Sequence, residues 1–82
     1  MFVSVEISYY PLNDGYRDQV LAVVERLEKS GLEVYSGRMS TQVFGEFDEV
    51  MRLVNDTMRW AFETYGRSVF TAKVVQGDRR PR

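Results

Sequence analysis

Residues 2–10, FVSVEISYY, alternate in character. Val3, Val5, Ile7 and Tyr9 point one way; Phe2, Ser4, Glu6, Ser8 and Tyr10 point the other. A period of two predicts a β-strand with one apolar and one mixed face. Pro11 has no N–H to give to a ladder, so the strand is expected to stop there. From residue 14 to 30 the period lengthens, and Tyr16, Val20, Val23, Val24 and Leu27 share one helical face. Asn13 or Asp14 is placed to cap that helix, and Gly31 suits its C-terminal exit. Glu25 stands four residues before Lys29, a supporting pair on the wet side. Residues 32–38 and 39–45 read as two strands joined around residues 37–40. Residues 46–65 carry the longest helical stripe: Phe47, Val50, Val54, Met58, Ala61 and Tyr65. Glu46, Asp48 and Glu49 sit at the positive end of that helix dipole, and Gly66 stops it. Residues 69–75 form the last strand.

The order β-α-β-β-α-β, with right-handed crossovers, puts both helices on one face of a four-stranded antiparallel sheet. The predicted fold class is therefore α+β, ferredoxin-like. Residues 1–77 are read as one domain and residues 78–82 as a flexible charged tail. Val5, Ile7, Val20, Val24, Leu27, Val43, Val50, Val54, Met58 and Ala61 are expected in the core, with Phe70, Ala72 and Val74 facing the helices from the last strand. The other face is left bare, and Phe2, Ser4, Glu6, Ser8, Tyr10, Ser40, Gln42, Phe44, Thr71, Lys73 and Val75 fall on it. Such a mixture of aromatic and polar groups suits an interface or the floor of a ligand site. A second apolar flank on the longer helix, Leu53, Thr57 and Trp60, is expected to meet a partner subunit or to be covered by a loop.

Composition narrows the chemistry. The chain of 82 residues has no cysteine and no histidine. That removes disulfides, thiolate metal sites and the commonest general base. Eleven basic residues against twelve acidic ones give no basic stripe, which argues against nucleic acid as the partner. No segment has the length of a membrane span or the layout of a signal peptide, so a cytoplasmic protein is expected. A domain this small gains buried area most readily by self-association, as a dimer or tetramer. No phosphate-cradling glycine loop is present. "VVQGDRR" is similar to an acylphosphatase phosphate loop but lies at the wrong end of the chain.

"ISYYPL", "MSTQVFGEFDEVMRLV" and "SVFTAKVV" followed by "DRR" occur in that order. Together they resemble the YkoF-like thiamine/hydroxymethylpyrimidine-binding proteins and their small single-domain relatives. The matching features are Tyr10-Pro11 at the end of a strand, the Ser40-Thr41 pair, Gly45, and Asp48-Glu49-Val50 at the head of a long helix. The resemblance implies a ferredoxin-like fold, assembly through sheets, a bound thiamine-like or pyrimidine molecule, no cofactor and no catalysis.

The shared sheet face and the family segments together single out Glu6, Ser8, Tyr10, Ser40, Thr41 and Gln42 as ligand-binding candidates. Tyr10 would stack on a ring, Ser8, Ser40 and Gln42 would bond its nitrogens, and Glu6 would favour a cationic or amino-bearing portion. The plainer reading of the same residues is a strand end, a turn serine and a solvated ion pair between Glu6 and Lys73. Two functions stand side by side: a non-catalytic small-molecule binding protein, and a structural or regulatory homo-oligomer joined through its bare sheet face.

Overall fold

The computed structural model describes residues 1–81; Arg82, the last residue of the expected tail, lies outside them. The elements are β1 (Phe2–Pro11), α1 (Tyr16–Glu28), β2 (Glu33–Ser36), β3 (Thr41–Glu46), α2 (Phe47–Tyr65) and β4 (Ser68–Gln76). The strands make one antiparallel sheet in the order β2-β3-β1-β4. Both helices cover the same face. This is the ferredoxin-like arrangement that the periodicity predicts.

β1 is longer than expected and includes Pro11, which pairs with Ser68. The reason is positional. β3 accompanies β1 only as far as Ile7, opposite Thr41, so residues 8–11 pair with β4 alone. A proline that cannot donate is tolerated where one side of the strand has no neighbour. The same overshoot leaves open the corner of the sheet beside the β2–β3 hairpin. That hairpin is closed by Gly37 N–H donating to Ser40 O at 2.9 Å.

Val3, Val5, Ile7 and Tyr9 are all buried, and they meet Val23, Leu27, Val43, Val50, Val54 and Ala61. The alternation in β1 is therefore read correctly. Val20, Val24 and Met58, expected in the core, are only half-buried. Tyr16 and Phe47, at the first positions of their helices, are exposed. The second flank of α2 packs largely within the chain. Thr57 is fully buried, Leu53 and Trp60 pack on the core, and the Arg26 guanidinium from α1 lies 4.6 Å from the Trp60 ring centre.

Helix α1 begins without the direct side-chain cap expected from Asn13 or Asp14; Gly15 is its N-cap. Asn13 acts from outside instead. Its Oδ1 accepts from Gly15 N–H at 3.0 Å and Gln19 Nε2 at 2.6 Å, and its Nδ2 donates to Tyr65 O. Gly31 comes two residues after the C-cap, Lys29. Gly66 ends α2 at φ 82°, a left-handed conformation that glycine adopts without strain.

β4 departs most from expectation. Phe70, Ala72 and Val74 do face the helix side, opposite Tyr9, Ile7 and Val5. Only Phe70 is half-buried, however; Ala72 is exposed and Val74 is 47% exposed. Helix α2 packs over β1 and β3 and leaves most of this edge strand uncovered.

On the helix-free face, Gly77 (φ 107°) turns the chain back. Ser4 Oγ then donates to Gly77 O and accepts from Arg79 N–H, each at 2.8 Å. Arg80 lies 5.0 Å from the centre of the Phe2 ring and bonds Glu33 at 2.9 Å. Residues 77–80 thus lie against the face predicted to be bare, and Ser4 and Phe44 on that face are buried.

Candidate functional site

The open corner beside the hairpin is a hollow of about 510 Å³ when the open solvent at its mouth is included. Ile7, Tyr9 and Thr41 form its buried part. Val20, Val23, Val24 and Leu27 of α1 make an apolar wall. Ser8, Tyr10 and Tyr16 stand on one side of the rim, and the hairpin residues Gly37, Arg38, Met39 and Ser40 on the other. The half-burial of Val20 and Val24 is explained here, because they line this open space at the edge of the core.

Four of the six candidate residues, Ser8, Tyr10, Ser40 and Thr41, line this one hollow. Glu6 and Gln42 do not. They lie on the helix-free face, in a shallower depression with Ser4, Phe44, Lys73, Val75 and Arg79. Ser40 connects the two places, since it lines the first hollow while its Oγ donates to Glu6 Oε2 at 2.8 Å. The expected pairing of Glu6 with Lys73 is present but loose, at 3.7 Å between exposed groups. Ser8 Oγ donates to Met39 O at 3.2 Å and so ties β1 to the hairpin.

The polar groups have distinct capacities. Ser40 spends its only proton on Glu6 and keeps lone pairs that accept. Thr41 is buried on the helix side. Arg38 brings a positive charge to the rim and has no ion pair among the described residues.

Sequence reasoning missed Tyr9, which alternation assigns to the core. It is 7% exposed, and its ring centre lies 4.7 Å from that of Phe70. Its hydroxyl is sealed from solvent and has no hydrogen-bond partner among the described residues. Burying an unpaired hydroxyl is costly. The available signal was the residue type: a tyrosine in a Val/Ile register needs somewhere to put its O–H.

Residues 5–81 match the family described as thiamine-binding protein. No curated protein matches the chain. Several solved structures share the fold. A hypothetical protein of Methanocaldococcus jannascii has TM-score 0.80 at 23% identity, covering 98% of this chain and 84% of that one. A proposed thiamine biosynthesis/salvage protein of Thermotoga maritima has TM-score 0.71 at 24% identity, covering 90% and 82%. A Bacillus cereus domain of unknown function, DUF77, has TM-score 0.70 at 20% identity, covering 94% and 77%.

Proposed function

The chain belongs to the thiamine-binding protein family, and from that premise we propose that it binds hydroxymethylpyrimidine or thiamine in the hollow between α1 and the β2–β3 hairpin. It does so as a non-catalytic binding protein, and in the cytoplasm. The observation that carries the reading is the hollow itself. One recess combines an apolar wall, tyrosine rings at the rim and the Ser40-Thr41 segment.

The chemistry suits an aminopyrimidine. Such a ring offers an amino donor next to a ring-nitrogen acceptor. Ser40 Oγ has acceptor capacity left for that amino group. Tyr10 and Tyr16 offer flat faces to the ring. In this reading Glu6 does not touch the ligand; it holds the Ser40 hydroxyl. Arg38 at the rim disfavours a bare thiazolium cation and favours a neutral pyrimidine or a phosphorylated derivative.

The alternative, self-association through the helix-free face, has less to rest on, because residues 77–80 lie against Phe2 and Ser4. A thermal-shift series against hydroxymethylpyrimidine, its phosphate, thiamine and thiamine phosphates tests the proposal through linkage. A concentration-dependent rise in Tm with at least one of them is expected. No rise with any of them at millimolar concentration would overturn the ligand assignment.

A further inference from the structure

The shallower depression on the helix-free face, about 430 Å³ when the open solvent at its mouth is included, has a construction of its own. Two cross-strand rows make it. Phe44, Ser4 and Val75 lie side by side on β3, β1 and β4, and Gln42, Glu6 and Lys73 form the next row. Ser4 is the small residue in the middle of the apolar row, so the surface dips between Phe44 and Val75. With strands about 4.8 Å apart and residues i and i+2 about 7 Å apart, the array measures about 10 by 7 Å, the footprint of one flat ring.

The chain's own C-terminal residues build the third side. Ser4 Oγ donates to Gly77 O and accepts from Arg79 N–H, which sets Arg79 at the edge of the depression. The charges there do not cancel. Glu6 is answered by Lys73 at 3.7 Å and by the Ser40 hydroxyl at 2.8 Å. Arg79 has no ion pair among the described residues. The depression therefore holds one cation in excess, beside an apolar floor and the Gln42 carboxamide.

We propose that this depression is a second ligand site, separate from the hollow, and that it takes a small monocarboxylate with a flat apolar body. The carboxylate pairs with the Arg79 guanidinium, whose N–H fork matches its two oxygens. The body lies over Ser4, between Phe44 and Val75. Neither half suffices alone. Lys73 is 82% exposed, and ion pairs in so open a place contribute little by themselves. The apolar floor is one residue wide, too narrow to hold a neutral ring in water. An inorganic dianion makes no use of that floor and brings a second negative charge toward Glu6.

Titrating isotope-labelled protein with benzoate, acetate and benzamide, and following the amide signals of Phe44, Val75 and Arg79, tests this. Benzoate supplies both halves, acetate the carboxylate alone and benzamide the ring alone. The expected result is saturable shifts with millimolar benzoate that weaken as salt is raised, and about tenfold weaker binding of the other two. Arg79→Gln should weaken benzoate binding about fivefold. Glu6→Gln should tighten it several-fold, because it removes the repelling carboxylate, frees Lys73 and keeps an acceptor for Ser40. Arg38→Gln, at the rim of the hollow, should leave these shifts unchanged. Circular dichroism checks that each variant is folded. No saturable shift at these amides with millimolar benzoate would overturn the proposal. So would an Arg79→Gln variant that binds like the wild type. Shifts that appear only around the hollow and vanish in Arg38→Gln would place the carboxylate beside Arg38 and refute the second site. Benzamide binding as tightly as benzoate would refute the carboxylate.

Discussion

Ser40 donates its hydroxyl proton to Glu6 at 2.8 Å, joining the start of β3 to the middle of β1. The bond couples a residue that lines the hollow to a carboxylate that lines the neighbouring depression on the helix-free face. It fixes which way Ser40 points and leaves its lone pairs free to accept.

Ser40→Ala should therefore act twice. Losing a partly buried hydrogen bond to a charged group should lower stability by about 1–2 kcal/mol. Losing the acceptor should weaken ligand binding about tenfold. Glu6→Gln keeps an acceptor for Ser40 and should cost less on both counts. Urea titration gives the first quantity and calorimetry the second. Equal binding by Ser40→Ala and wild type would remove Ser40 from the site.

Among the described residues, two buried hydroxyls have no partner, those of Tyr9 and Thr57. Removing either without changing shape should stabilise the empty protein by about 1 kcal/mol, worth about 4–8 °C in Tm for a domain of this size. Thr57→Val should do only that, because Thr57 lies on the buried face of α2, away from the hollow. Tyr9→Phe should likewise leave the Tm rise that ligand produces unchanged, because its hydroxyl is sealed off. A smaller rise in Tyr9→Phe alone would show that the hydroxyl reaches the ligand.

These two residues also show where sequence reasoning runs out. Alternation places the faces of β1, β3 and β4 correctly, because a period of two leaves no freedom once one face is apolar. It says nothing about how far a helix extends over a sheet, so Ala72 and Val74 were assigned to a core that α2 does not reach. Nor does it show that β1 outruns β3, which creates the hollow and divides the six candidate residues between two depressions. Pro11 hinted at that open side, and Tyr9 hinted at a polar need inside the core.

Core packing should be conventional. Leu27 is 1% exposed and sits between α1 and the sheet. Leu27→Ala should cost about 2–5 kcal/mol. That is a large share of the stability of so small a domain, and the variant should be partly unfolded at 37 °C. A thermal melt checks this directly. Lys29→Ala, which breaks an exposed pair with Glu25, should change Tm by less than about 2 °C.

The contact of residues 77–80 with the sheet should depend on pH at both ends. Hydrogen bonds from Tyr35 and Arg80 hold the Glu33 carboxyl below its ordinary range, and the bond to Glu33 raises the Tyr35 hydroxyl above its own. A depressed acid contributes only when ionised, so the Glu33 contribution is present above its unfolded value near 4 and is lost as pH falls through its folded value. Tyr35 contributes as the neutral donor, fully below about pH 10, and its contribution is lost as pH rises through its raised folded value. The contact should thus hold across neutral pH and loosen at both extremes. NMR observation of the Arg79 amide, which donates to Ser4, gives the readout below neutral pH. The Phe2 ring signals under Arg80 serve at high pH. A response that is flat down to pH 3 would show that the Glu33–Arg80 pair does not anchor residues 77–80. Glu33→Gln should shift the acid limb and leave the alkaline limb to Tyr35.

Arg38 offers the sharpest test of which compound the hollow takes. It stands on the hairpin rim with no ion pair among the described residues, and Glu6, the carboxylate bonded to Ser40, lines the neighbouring depression rather than the hollow. A cation entering past Arg38 meets repulsion that salt screens, whereas a phosphate meets attraction. The wild type should therefore prefer hydroxymethylpyrimidine and its phosphate over unphosphorylated thiamine, and the preference should shrink as salt is raised from 0.05 to 0.5 M. Arg38→Glu should reverse the order: thiamine binding strengthens several-fold, phosphate binding weakens about tenfold, and the neutral pyrimidine changes little. Calorimetry with the three compounds on the two proteins decides it. If the charge reversal leaves all three affinities unchanged, the ligand does not pass Arg38, and the hollow beside the hairpin is not where it binds.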